Sequence, residues 1–149
     1  MVNPAFPKHQ LVGVYNLEMA RIYNYLLQQT DKNFTIIHAL DGYDEISLTG
    51  DTKVITNKGE QILSAETLGK RTVNALDIHG GNSVEDAAKI FSNILKGNGT
   101  WAQNAVVLAN SAMALQCTGK YNSYEECYQL AVESLESGKA YEALKKLVS

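Results

Sequence analysis

Near its N-terminus the chain changes hydrophobic period twice, and this constrains its fold more than any other feature. Leu11-Val12-Gly13-Val14-Tyr15 is a short run rich in β-branched residues behind a proline-punctuated lead-in. Asn16 then stands where a helix N-cap is expected, and Met19, Ala20, Tyr23, Leu26 and Leu27 recur at helical spacing over residues 17–29. Phe34-Thr35-Ile36-Ile37-His38 follows as a near-continuous apolar run, the pattern of a buried strand. Two strands joined by one helix predict a right-handed parallel crossover. In open α/β sheets ligands gather at the carboxyl ends of such strands, so the residues after His38 are the first place to look for a site.

Beyond the crossover the pattern changes. Residues 51–56 and 60–63 flank Asn57-Lys58-Gly59, a hairpin signal. From Ser83 onward the period is helical, and Ser83 with Asp86, Thr100 with Gln103, and Ser123 with Glu126 have the spacing of capping boxes. The first of these helices carries the stripe Val84, Ala87, Ala88, Phe91, Ile94 and Leu95. The second is apolar almost all round, which predicts the central buried helix. The third presents Tyr124, Cys127, Tyr128, Ala131 and Leu135 on one face, and a short fourth covers residues 141–148. Gly97, Gly119 and Gly138 lie at expected C-caps. The fold class is therefore α/β: a parallel strand–helix–strand core, a β-hairpin and a C-terminal cluster of helices. With 149 residues and no linker or repeat, this is one domain's worth of chain.

Charge and cysteine usage exclude several classes. Lys plus Arg is 13 against 16 for Asp plus Glu, a net charge of −3, which argues against an overall footprint for nucleic acid or an anionic membrane. No apolar run is long enough to span a bilayer, and the N-terminal residues lack the basic and apolar stretches of a signal peptide. Cys117 and Cys127 form no CxxC pair and no metal-ligand spacing with His9, His38 or His79. Both fall on apolar helix faces, so buried thiols in a reducing, cytoplasmic setting are expected.

The densest polar cluster is His38-Ala39-Leu40-Asp41-Gly42-Tyr43-Asp44-Glu45, directly after the second strand. Asp41-Gly42 is a turn dipeptide, so Asp44 and Glu45 fall in or just after a tight loop, where both carboxylates can converge on one hard cation. Magnesium takes one or two protein carboxylates and completes its shell with water and substrate phosphates, so the pair suits a phosphate-bearing substrate; a solvated acidic turn is the plainer alternative. Gly80-Gly81-Asn82-Ser83 and Gly97-Asn98-Gly99-Thr100 lead into helices but match no phosphate-loop motif, and helix capping accounts for them. No Ser/His/Asp arrangement can be read. His9 and His38 are expected to be structural, with His38 near enough to line the crevice, and Trp101 is expected to be a packing anchor.

Asn3-Pro4-Ala5, Pro7-x-His9-Gln10-Leu11-Val12-Gly13-Val14-Tyr15 and His38-x-x-Asp41-Gly42-Tyr43-Asp44-Glu45-Ile46-Ser47 together resemble anthranilate phosphoribosyltransferase, a family of tryptophan biosynthesis. Leu108-Ala109-Asn110-Ser111-Ala112, Gly119, and Leu130-Ala131 through Ser137-Gly138-Lys139-Ala140 resemble its closing helices. The resemblance implies a nucleoside-phosphorylase/phosphoribosyltransferase-like α/β domain. It also implies transfer of the phosphoribosyl group of phosphoribosyl pyrophosphate to anthranilate with Mg2+, and a homodimeric full enzyme. Asp44 and Glu45 match the family's metal-binding pair, Glu45 bridging two magnesium sites and Asp44 serving one. Ala39 departs from the glycine usual after the histidine. The family's N-terminal helical domain, its Gly-Thr-Gly-Gly-Asp phosphate loop, its Lys-His-Gly-Asn segment and its substrate arginine are not found. The chain then reads as the C-terminal part of the α/β domain, inactive alone. It is expected to self-associate, or to re-pair its strands, around residues 11–15 and 34–38. A non-catalytic assembly module on this scaffold and a pyrimidine nucleoside phosphorylase are the competing readings.

Overall fold

The computed structural model describes residues 5–149, so Met1, Asn3 and Pro4 of the sequence reading lie outside the described residues. The crossover forms as the periodicity requires. Strand β1 (His9–Gly13) leads through helix α1 (Leu17–Leu27) to strand β2 (Asn33–Ala39). β1 and β2 pair in parallel, with Val12 opposite Ile36. The Asn16 side chain accepts from the Met19 amide at 2.8 Å, closing the first turn of α1. β1 begins two residues before the apolar run and leaves Tyr15 outside it, 67% exposed; Val14 still donates to the Ile37 carbonyl at 2.9 Å.

Strands β3 (Thr52–Thr56) and β4 (Gly59–Leu63) form the hairpin, and β3 pairs antiparallel with β2. The sheet order is β1-β2-β3-β4, so β2 is paired on both sides. Residues 34–38 thus lie inside the sheet. Among the described residues β1 and β4 are the outer strands, because the hairpin returns onto β2.

Helices α2 (Val84–Leu95), α3 (Trp101–Cys117), α4 (Tyr124–Glu136) and α5 (Lys139–Val148) complete the chain. The sheet separates two apolar clusters. Val14, Ala20, Leu27, Phe34, Ile36 and Ile55 pack on the α1 side. Ile37, Ile46, Leu48 and Val54 pack with Ala105, Val106, Ala109 and Met113 of α3 on the other. The connection after β4 adds Ala65, Leu68 and Val73 to this second cluster. α3 starts at a reciprocal capping box between Thr100 and Gln103, and eight of its residues are buried. Its last residue reaches the opposite end of the sheet, where the Cys117 thiol donates to the Gln10 carbonyl at 3.5 Å. α4 lays Cys127, Ala131 and Leu135 against α3, so both cysteines are buried and free, as expected.

Three details depart from the sequence reading. α2 packs chiefly on α5, so its stripe stays largely outside the core: Ile94 is buried, whereas Val84 is 81% and Phe91 51% exposed. Trp101 is half exposed and lies under the Arg71 guanidinium, 4.2 Å from the ring centroid, so it is no core anchor. Ser123 caps the Glu126 amide at 3.1 Å, but Glu126 reaches back to the Asn122 amide at 2.9 Å, one residue beyond a capping box. Among the described residues no helix is long and apolar enough to cross a membrane.

Candidate functional site

β2 ends at Ala39, and residues 40–51 loop back to β3. The loop closes at its base, where the Leu40 amide donates to the Asp51 carbonyl at 2.8 Å. Its tip turns sharply: the Ala39 amide donates to the Tyr43 carbonyl at 3.0 Å and the Gly42 amide to the Ala39 carbonyl at 2.9 Å. Gly42 sits at φ 103°, a conformation that an L side chain rarely adopts. The Asp-Gly signal was therefore read correctly, and Ala39 is compatible with the turn.

Past the tip the chain is fixed on two sides. Gly13, the last residue of β1, faces the Asp44 backbone so closely that a Cβ there would land on the Asp44 carbonyl oxygen. Across the loop, the Ile46 amide donates to Asn110 Oδ1 at 2.9 Å, and Asn110 Nδ2 donates to the Ile46 carbonyl at 2.9 Å. Ile46, Ser47 and Leu48 are buried, whereas Asp44 and Glu45 are exposed. Leu48 has a left-handed backbone (φ 58°) inside the core, held by the Val73 amide donating to its carbonyl at 2.9 Å. Such a conformation costs on the order of 1 kcal/mol or more in an L-residue and persists only where surrounding contacts enforce it.

The loop sorts its polar residues into two groups. Asp41 turns inward on the loop, accepting from the hydroxyls of Thr49 and Ser47. His38 is buried, and its Nδ1 meets the Val14 carbonyl at 2.9 Å; it ties β2 to β1 and does not line an open crevice. His9 Nδ1 faces Asn33 Nδ2 at 3.3 Å, at the start of the strands. Asp44 and Glu45 are left as an adjacent, solvent-facing pair of carboxylates at the carboxyl ends of the two parallel strands. Partial desolvation, with the neighbouring Asp44 charge second, pushes the Glu45 carboxyl above its ordinary range.

None of the ion pairs among the described residues involves either carboxylate, and no group of three His, Cys, Asp or Glu side chains gathers to hold a metal. Two hard oxygen donors with their own repulsion unrelieved suit a Mg2+ ion that draws its other ligands from water and phosphate, and they do not suit a closed all-protein cage. A cavity of about 510 Å3 opens elsewhere, between Asn33, Thr56, Lys58, Gln116 and Cys117 where β2 begins, and does not include the pair.

The sequence reading missed Gly13 and Asn110 as supports of the pair. Their signals were a glycine within a β-branched run and an asparagine within an almost wholly apolar helix. The glycine segments before α2 and α3 act as caps. Ser83 accepts from Asp86, Gly97 takes the left-handed position after α2, and Gly99 lies against Asn104.

A mixed sheet with an acidic loop at the carboxyl ends of its parallel strands, backed by helices, defines an α/β domain of the kind that receives ligands at that edge. The chain belongs to the glycosyl transferase family, whose a/b domain it matches over residues 1–141. It is 58% identical over 147 residues to the anthranilate phosphoribosyltransferase of Christiangramia forsetii and 55% identical over 147 residues to that of Flavobacterium psychrophilum. Each match covers 99% of this chain and 44% of the relative, so the chain spans under half the length of the curated relatives it matches. Among solved structures, the anthranilate phosphoribosyltransferase of Thermus thermophilus superposes with a TM-score of 0.79 at 28% identity, over 90% of this chain and 40% of that one. The Saccharomyces cerevisiae enzyme in complex with PRPP and Mg shares the fold, with a TM-score of 0.80 at 22% identity, over 92% of this chain and 40% of that one.

Proposed function

We propose that this chain is the part of an anthranilate phosphoribosyltransferase that carries the metal-binding carboxylates. The reading rests above all on identity of 55–58% to enzymes of that name across 99% of this chain. The acidic pair at the carboxyl ends of β1 and β2 agrees with it. The reaction moves the phosphoribosyl group of phosphoribosyl pyrophosphate onto the amino nitrogen of anthranilate and releases pyrophosphate. Asp44 and Glu45 are the residues that would hold Mg2+. Bound there, the metal offsets the charge that develops on the leaving pyrophosphate. Gly13 and the turn at Gly42 fix where the carboxylates start, so little reorganisation is needed when the ligand arrives.

The helical domain, phosphate loop and substrate arginine implied by the resemblance are not among these 149 residues. The chain is thus one α/β segment that binds metal and pyrophosphate but does not orient both substrates, and positioning carries about 7–11 kcal/mol of such barriers. We place it in the cytoplasm, without nucleic-acid or membrane partners, and assign it a tendency to self-associate.

Calorimetry with Mg2+ and pyrophosphate tests this. Metal-dependent binding is expected to be lost in both Asp44→Asn and Glu45→Gln, and an assay with both substrates should give no turnover by the 149-residue chain. Binding that survives both substitutions overturns the assignment of the pair.

A further inference from the structure

Asn110 is a polar residue in the most apolar helix of the molecule, and both ends of its side-chain amide engage one distant peptide group. Its Oδ1 accepts from the Ile46 amide at 2.9 Å, and its Nδ2 donates to the Ile46 carbonyl at 2.9 Å across 64 residues of chain. The same Nδ2 donates to the Val106 carbonyl one turn back in α3, also at 2.9 Å, which fixes the side-chain rotamer. The amide orientation follows from these partners, because a flip would set N–H against N–H and oxygen against oxygen. Ile46 is fully buried, and Glu45 precedes it directly. Ala109 and Ala112, the residues around Asn110 on α3, are also fully buried, so the clamp is anchored on a rigid element.

We infer that Asn110 is a positioning residue for the acidic pair, setting through the Ile46 backbone the direction in which Glu45 and Asp44 present their carboxylates to Mg2+. The inference rests on the metal reading of that pair and adds the part of the fold that orients it. A plain turn would need neither a helix-borne clamp nor the Gly13 contact on its other flank. Two backbone anchors, on Asp44 and on Ile46, bracket the two exposed carboxylates. Groups that orient metal ligands from behind matter to affinity almost as the ligands do.

The test uses the 149-residue chain with two readouts, hydrogen exchange at the Ile46 amide and calorimetry of Mg2+ with pyrophosphate. Asn110→Leu removes all three hydrogen bonds at similar volume. It should accelerate Ile46 exchange strongly and weaken metal binding by about 10-fold or more. Should the leucine variant not fold, Asn110→Asp keeps an acceptor for the Ile46 amide but donates nothing to the Ile46 carbonyl. Its added negative charge alone would tighten cation binding, so weaker binding must come from geometry. Released Ile46 with unchanged Mg2+ affinity overturns the inference, as does tighter binding in Asn110→Asp. If the unsubstituted chain binds no metal while Asn110→Leu still frees Ile46, the metal reading falls and the clamp stands.

Discussion

α3 and α1 each cover one face of the same four-stranded sheet, yet they are built on opposite terms. α3 buries Ala102, Ala105, Val106, Leu108, Ala109, Ala112, Met113 and Cys117, because the sheet lies on one side of it and α4 on the other. Its alanines let both neighbours approach closely, and apolarity all round is what a sandwiched helix needs. α1 has the sheet alone and buries only Ala20 and Leu27. Its outer side still carries Leu17, Ile22, Tyr25 and Leu26, 41–69% exposed, and on the outer strand β1 Leu11 is 39% exposed. A helix with one partner ordinarily turns charged residues to water. The α3 face is therefore a finished core, whereas the outer side of α1 keeps its apolar side chains at the surface.

The largest effect expected from this contrast concerns stability. Ile37 is 1% exposed between the sheet and α3, and Ile37→Ala should cost about 2–5 kcal/mol in denaturant unfolding. Leu26→Ala, on the outer side of α1, should change stability by no more than about 0.5 kcal/mol. Equal losses at the two positions would mean that α1 is as fully packed as α3.

The same contrast decides what could be read from sequence. The crossover was legible because each element has one clear period: Asn16 caps α1, β1 and β2 pair in parallel, and the all-round apolar α3 is the central helix. Helix ends were legible from chemistry that acts locally, as with Gly97, Gly119 and Gly138, all at positive φ. Burial of the α2 stripe was not legible, since periodicity shows which face is apolar and says nothing of whether another element comes to cover it. The site divided in the same way. The turn at Asp41-Gly42 and the pair beside it are local signals, but the contacts that hold the pair join Gly13 to Asp44 and Asn110 to Ile46. No spacing rule reaches across 64 residues.

A smaller and pH-dependent effect should sharpen the α3 side of the comparison. Cys127 is fully buried where α4 meets α3, and burial pushes its thiol above the ordinary value of 9.0. Burial likewise pushes up Tyr124, whose hydroxyl donates to the Ala109 carbonyl at 3.3 Å. Both groups are neutral in both states at neutral pH and contribute no slope there. As pH rises past 9.0 the unfolded chain loses the Cys127 proton while the folded chain keeps it, so stability falls, with Tyr124 adding to the loss from about 10.0. Denaturant unfolding between pH 7 and 11 should thus be flat and then decline, and Cys127→Ala should remove the earlier part of the decline. A stability that rises above pH 9 would show that the thiol is not held neutral by the α3–α4 packing.

The smallest effect on stability belongs to the outer side of α1, where the expected consequence is association and not unfolding. Ile22 and Tyr25 project from α1 at 47% and 69% exposure, one turn apart on the same side. Two copies can cover this patch on each other, because each offers the same apolar helix side. The 149-residue chain should therefore self-associate in sedimentation as concentration rises. Ile22→Lys with Tyr25→Lys should shift it toward monomer while leaving its unfolding within about 0.5 kcal/mol, since neither side chain enters the core. The matched control is Leu147→Lys with Val148→Lys: those residues are more exposed still, at 82% and 74%, but lie on the terminal α5. If the α5 pair disperses the chain as well as the α1 pair does, exposure alone drives association and the α1 patch has no special part.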